Sequence, residues 1–82
     1  MRYILTVHTQ KRITERVIPK ELIDDALQNP TKAIYNAKRQ LVIKKLYQKQ
    51  GKERLLLIIG ENIGDQLKII TVIDTSKIEK YL

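Results

Sequence analysis

Three side chains near the start of the chain have the types and the spacing to handle phosphate. His8, Arg12 and Arg16 follow one another at intervals of four residues, so on an α-helix they lie along one face. An imidazole exchanges protons near neutral pH, and guanidinium groups hold phosphate oxygens through paired hydrogen bonds. The trio therefore predicts a site that binds a phosphodiester and transfers protons beside it, with all three residues as catalytic candidates.

A simpler interpretation of the same residues stays open. On the exposed face of a surface helix, one histidine and two arginines are most often only solvated. Glu15 shares this face, whereas Ile13 and Val17 fall on the opposite side, where a core would lie. The segment is predicted to be an amphipathic helix under either interpretation.

The predicted strands supply a second group of candidates. Lys45 and Tyr47 lie on one face of the longest strand, and Arg54 opens the next strand. If that face lies beside the first helix, these side chains converge on His8. Arg54 or Lys45 would then stabilise charge at phosphorus. Arg54 is the catalytic candidate of this group, and Lys45 and Tyr47 are candidates for binding substrate. The alternative is ordinary charge on a solvent-facing sheet whose edge repels other strands.

Thr71 is a further candidate for binding substrate, because it interrupts an otherwise apolar strand. A buried hydroxyl needs a hydrogen-bond partner, so Thr71 either bonds locally or points into the site. Threonine is also a good strand former, which favours the local explanation.

Other chemistries lack their residues. The chain has no cysteine and one histidine, which is too little for a zinc site built from the usual ligands. Gly60 and Gly64 form neither a phosphate-binding loop nor a dinucleotide fingerprint. Four scattered tyrosines are few for a base-stacking platform. We therefore expect no metal and no cofactor.

The period of the apolar residues predicts two helices ahead of the strands. The first helix is expected from about residue 6 or 8 to Arg16, and residues 2–7 either form a strand or lead into it. A second helix follows Pro19 and ends at Asn29–Pro30.

Four strands are predicted after the second helix, at 33–35, 40–49, 54–59 and 67–74, with the last turn at 60–65. Ser76 and Glu79 resemble a capping box, so a short final helix to Leu82 is expected. The predicted fold class is α+β in a single domain, residues 1–82. Two N-terminal helices pack on one face of a four-stranded antiparallel β-sheet, and a short C-terminal helix follows.

Charge and hydropathy restrict the partners. The 82 residues carry a formal net charge of +7, with basic residues in every segment, so we expect an acidic partner: nucleic acid, an acidic protein or an anionic membrane face. The N-terminal apolar run is too short for a signal peptide, and no stretch is long enough to cross a membrane. A cytoplasmic protein without a membrane partner is expected, and its oligomeric state stays open.

The chain resembles a family of small bacterial and archaeal proteins, domain of unknown function 4258. The family pattern opens with Thr-x-His-x-x-x-Arg and a second arginine four residues on. An isoleucine then starts the next helix, an Asn-Pro pair stops it, and the strands end in a Val-Thr-Val-like motif. The matching residues, spread over nearly the whole chain, are Thr6, His8, Arg12, Arg16, Ile18, Asn29–Pro30, Arg54 and Ile70–Val72. Val17 departs from the pattern, which has glycine there.

That family is similar in layout to RelE-like and colicin-type ribonuclease toxins, the group with the BECR fold. The resemblance implies a metal-independent endoribonuclease that acts on RNA and is often encoded with an antitoxin protein. It also implies the RelE-like arrangement of a helix pair on a four-stranded sheet.

The chemistry of such an enzyme can be assigned to residues of this chain. RNA cleavage without a metal uses the 2′-hydroxyl of the substrate as the nucleophile and needs acid–base groups and cations around phosphorus. Histidine is the residue type that exchanges protons near neutral pH, so His8 is the expected acid or base. The second acid or base stays open among Glu15, Tyr47 or a lysine. The alternative function is a non-catalytic basic module that binds RNA or an acidic protein.

Overall fold

Two helices connect the first strand to a run of four further strands. The computed structural model describes residues 2–82. Its elements, in chain order, are β1 (Arg2–Leu5), α1 (Val7–Arg16), α2 (Lys20–Gln28), β2 (Lys32–Tyr35), β3 (Leu41–Lys49), β4 (Lys52–Ile63), β5 (Gln66–Thr75) and α3 (Ile78–Tyr81). No helix within residues 2–82 combines the length and the apolar character needed to cross a membrane.

The five strands form one sheet in the order β1-β5-β4-β3-β2. Strands β2 to β5 pair antiparallel with their neighbours, whereas β1 pairs in parallel with β5, with Leu5 opposite Ile69. The predicted four-stranded antiparallel sheet is therefore wrong, and the protein has a mixed α+β fold with one parallel edge pair. A local pattern gives no sign of this pairing, because the partner of the four-residue β1 lies more than sixty residues away.

Strand β4 is longer than predicted. It continues through residues 60–63, which were expected to be a turn, and the turn is confined to residues 64 and 65. The pairing with β5 shifts between Ile59 and Gly60, as in a β-bulge. A Cβ atom at Gly60 would lie 2.8 Å from the Leu67 side chain. Glycine here permits a close approach of two strands and does not end the strand.

The main core lies between the sheet and the helices α1 and α2. Its fully buried members include Ile23 and Ala26 of α2, Ile58 of β4 and Ile69 of β5. The short helix α3 lies on the opposite face of the sheet from α1 and α2. The Leu82 carbonyl oxygen, which follows α3, accepts a hydrogen bond of 3.3 Å from Lys44 Nζ on the other face of the sheet.

The turn between α1 and α2 is a Schellman motif. The N–H of Ile18 donates to the Ile13 carbonyl oxygen (3.0 Å), and the N–H of Val17 donates to that of Thr14 (3.2 Å). Val17 is left-handed, with φ 51° and ψ 52°, and it is 77% exposed. The prediction that Val17 faces the core is wrong, because the motif turns it outward and places Ile18 in the core instead.

Candidate functional site

Two threonines fix the first turn of α1 against β5. Thr6 is the N-cap, and its hydroxyl oxygen accepts a hydrogen bond from the Thr9 N–H (3.1 Å). The Thr9 hydroxyl is fully buried and donates to the Ile69 carbonyl oxygen (3.1 Å). The position of His8, between these two residues, is thereby set relative to the sheet.

His8 and Arg12 line a cleft at the edge of β5. Strand β1 pairs only with residues 66–69 of β5, so α1 takes its place beside the following residues. Thr9, Thr71, Val72 and Ile73 complete the cleft, which has a volume of about 130 Å³. His8 is exposed and Arg12 is half-buried, so the cleft offers one proton-transfer group and one cation to a ligand that enters from solvent.

Arg16 lies one helical turn beyond Arg12 and is exposed. The i, i+4 spacing places it on the same face, about 6 Å further along the axis. No ion pair within residues 2–82 involves His8, Arg12 or Arg16. The guanidinium groups of Arg12 and Arg16 are therefore not paired with carboxylates of the described chain.

A second polar cluster lies on the helix-bearing face of the sheet, near the end of β5. The Tyr47 hydroxyl and the Arg54 Nε–H (3.1 Å) both donate to Oδ1 of Asp74. The Asp74 side chain is 10% exposed and that of Arg54 is 29% exposed. Burial, followed by the hydrogen bond to Asp74, raises the pKa of Tyr47 to about 12. The same carboxylate raises the pKa of Arg54 through its hydrogen bond, so neither group exchanges protons near neutral pH.

A cavity of about 340 Å³ opens beside this cluster. Tyr47 and Asp74 form part of its wall, and the turn between α1 and α2 forms another part. The remaining lining residues are Val17, Ile18, Pro19, Leu22, Gln48 and Lys49. The cavity therefore combines apolar walls with one carboxylate.

Lys45 contacts the end of α2 and not His8, toward which it was predicted to point. Its Nζ donates to the Asn29 carbonyl oxygen (2.7 Å) and lies 3.1 Å from Oδ2 of Asp25. Its side chain is 18% exposed, and its hydrogen bond lowers the pKa of Asp25. Lys45 thus fixes the end of α2 to β3 and does not line the His8 cleft.

The predicted site residues therefore fall into separate places. Thr71 joins His8 and Arg12 at the cleft, whereas Tyr47 and Arg54 meet at Asp74 and line no part of that cleft. Sequence reasoning missed Asp74. The signal for it was present, because an acidic residue two positions after the buried Val72 belongs on the same face of the strand.

A broad depression of about 1050 Å³ lies between β1 and the two helices. Lys20 Nζ and the Tyr3 hydroxyl, which both line it, donate to Asp24 at 2.7 Å and 2.9 Å. The hydrogen bond from Lys20 lowers the pKa of Asp24 most, and the hydrogen bond from Tyr3 lowers it further. Within residues 2–82 no three His, Cys, Asp or Glu side chains gather to hold a metal ion.

In comparisons with known proteins, no family model, no curated protein and no solved structure matches this chain. The resemblance to domain of unknown function 4258 and to ribonuclease toxins therefore stays a prediction. What can be said of function rests on the geometry of the cleft and of the cavity.

Proposed function

We propose that the protein binds single-stranded RNA along the α1 face and cleaves it at the His8 cleft without a metal. The observation that carries the proposal is that His8 and Arg12 line the same small cleft. Neither side chain forms an ion pair with a carboxylate of residues 2–82. Imidazole beside guanidinium combines a proton acceptor with a phosphate ligand. The net charge of +7 supports an anionic substrate.

The proposed reaction uses the 2′-hydroxyl of the RNA. A ring nitrogen of neutral His8 takes the proton of this hydroxyl, and the oxygen attacks the adjacent phosphorus. The bond from phosphorus to the 5′-oxygen breaks, and that oxygen takes a proton from water or from the His8 imidazolium. The products are a 2′,3′-cyclic phosphate and a 5′-hydroxyl. Arg12 stabilises the negative charge that builds on the phosphoryl oxygens, and Arg16 holds a neighbouring phosphate.

A second function, RNA binding without cleavage, is favoured by a specific observation. Two of the groups considered for the second acid or base have other partners: Tyr47 donates to Asp74, and Glu15 lies 4.0 Å from Lys11 on the exposed helix surface. Under this alternative His8 and the arginines bind the phosphate backbone and leave it intact. Both functions place the protein with RNA in the cytoplasm, and an acidic antitoxin protein fits the same basic face.

The test is a parallel measurement of binding and cleavage. A fluorescently labelled oligoribonucleotide is incubated in EDTA with the wild type and with His8→Ala, which changes an exposed side chain. Cleavage by the wild type alone, with equal binding by both proteins, supports the enzyme. RNA binding by the wild type without cleavage by either protein supports the non-catalytic module, and no binding by either protein overturns both.

A further inference from the structure

We propose that the cavity beside Tyr47 and Asp74 binds a guanine base of the RNA. The inference rests on the proposed function, because the guanine belongs to the same RNA molecule whose phosphate enters the His8 cleft. The cavity of about 340 Å³ lies at the lower end of the size range of small-molecule sites.

The free acceptor of the cavity is Oδ2 of Asp74. A carboxylate accepts hydrogen bonds at both oxygens. Tyr47 and Arg54 both donate to Oδ1, and no donor within residues 2–82 bonds to Oδ2. The Asp74 side chain is nevertheless only 10% exposed, and it lines the cavity. A ligand that presents N–H donors would satisfy an acceptor that is held in place by its other oxygen.

The walls of the cavity suit a flat ring. Ile18, Pro19 and Leu22 line it from the helical side, and the Tyr47 ring lines it from the sheet. Such surfaces bury the faces of a planar heterocycle and leave its edge for the polar contact.

Guanine is the base whose edge matches a carboxylate. Its N1–H and 2-amino group are adjacent donors. Adenine and cytosine place a ring-nitrogen lone pair beside their amino group, and uracil flanks its one N–H with two carbonyl oxygens. These lone pairs would face the carboxylate and repel it.

The surrounding charge favours a nucleotide over a basic peptide. Lys49 lines the cavity and Arg54 lies against Asp74, so two cations stand near one carboxylate. They attract the phosphate of a nucleotide and repel a lysine or arginine side chain that approaches the same carboxylate.

The cavity and the cleft lie close enough for one strand of RNA. Val72 lines the cleft and Asp74 lines the cavity, and these two residues share one face of β5, about 7 Å apart along the strand. Helix α1 begins at the cleft and ends at the turn that lines the cavity. The bound guanine therefore belongs to a nucleotide near the cleaved bond.

The experiment compares free nucleotides on the intact protein by NMR titration. Guanosine 5′-monophosphate is expected to bind about tenfold or more tightly than the adenosine, cytidine and uridine monophosphates, with shifts at Tyr47 and Asp74. Inosine 5′-monophosphate, which lacks the 2-amino group, is expected to bind several-fold more weakly than guanosine 5′-monophosphate. Asp74→Asn should remove the preference for guanine, whereas Asp65→Asn, at an 80% exposed carboxylate, should keep it.

The outcomes separate this inference from the function on which it rests. Equal affinity for all four nucleotides overturns the guanine pocket even when RNA is cleaved at His8. Guanine preference without RNA cleavage keeps the pocket and overturns the proposed enzyme. Binding of an oligolysine peptide in the cavity, with no guanine preference, overturns the proposal in favour of a basic peptide. The comparison of inosine with guanosine monophosphate uses only the wild type. It therefore tests recognition of the guanine edge even if Asp74→Asn fails to fold.

Discussion

The Tyr47 hydroxyl donates to the Asp74 carboxylate across the whole width of β4. Tyr47 stands opposite Arg54 on β4, and Asp74 stands opposite Leu56, two residues further along the same face. Arg54 reaches the same carboxylate oxygen, so one acceptor joins three strands. This cluster fixes one wall of the cavity to which we assign guanine.

Replacing Asp74 by alanine is expected to destabilise the fold. The change leaves the Tyr47 hydroxyl and the Arg54 guanidinium without their acceptor, and Arg54 is partly solvated, so we expect a loss of about 2 kcal/mol. For a domain of this size that loss lowers Tm by roughly 10 °C. Thermal unfolding followed by circular dichroism measures it. Asp65→Ala is the matched control and should change the free energy of unfolding by less than about 0.5 kcal/mol; an equal effect of the two changes would contradict the account.

Tyr47 is expected to ionise at a higher pH than an ordinary tyrosine. Its pKa is raised from 10.0 to about 12, so the folded state retains the proton that the unfolded state loses. The stabilisation from this hydroxyl is complete below pH 10.0 and is lost as the pH rises through about 12. Subtracting the tyrosinate absorbance titration of Tyr47→Phe from that of the wild type isolates this group. A difference curve with its midpoint at the ordinary tyrosine pKa would show that the Tyr47 hydroxyl is neither buried nor bonded to Asp74 in solution.

Val17→Gly is expected to stabilise the protein. Val17 is a β-branched residue in the left-handed region, which costs about 1–2 kcal/mol for a residue with a Cβ. Its exposed side chain has little packing to lose, and the entropy of glycine in the unfolded state offsets part of the gain. We expect a net increase of about 0.5–1 kcal/mol in the free energy of unfolding, measured by urea denaturation. Val17→Ala keeps the strained conformation and should give no such gain; if both variants gain equally, backbone strain is not the cause.

The sequence predicted the elements better than their assembly. Periodicity and the breaks at Pro19 and Pro30 located α1 and α2 to within about two residues, because these signals are local. The parallel pairing of β1 was missed because its partner is distant in the chain. For the site, the i, i+4 rule brought His8 and Arg12 together correctly. Whether Lys45 faced His8 depended on the placement of α2, whose Asp25 holds it elsewhere.

RNA binding is expected to weaken with salt in proportion to the phosphates contacted. For single strands the logarithm of the affinity falls by roughly 0.7 per phosphate for each tenfold rise in salt. Arg12→Ala and Arg16→Ala should each reduce the slope by about that amount. Fluorescence anisotropy across a salt series measures it. Lys38→Ala removes the same charge from the turn between β2 and β3, at the opposite edge of the sheet, and should leave the slope unchanged. A slope that falls equally in all three variants would mean that binding follows net charge and not the α1 face.

The chemical identity of the cleavage products tests the central claim most directly. The wild type in EDTA is incubated with a single-stranded oligoribonucleotide that contains guanine, and the new ends are identified by mass spectrometry. We expect 2′,3′-cyclic phosphate and 5′-hydroxyl ends from the wild type. We expect none from His8→Ala, and none from a DNA strand of the same sequence, which lacks the nucleophile. The same ends from His8→Ala, or intact RNA under conditions where the wild type binds it, would contradict the account.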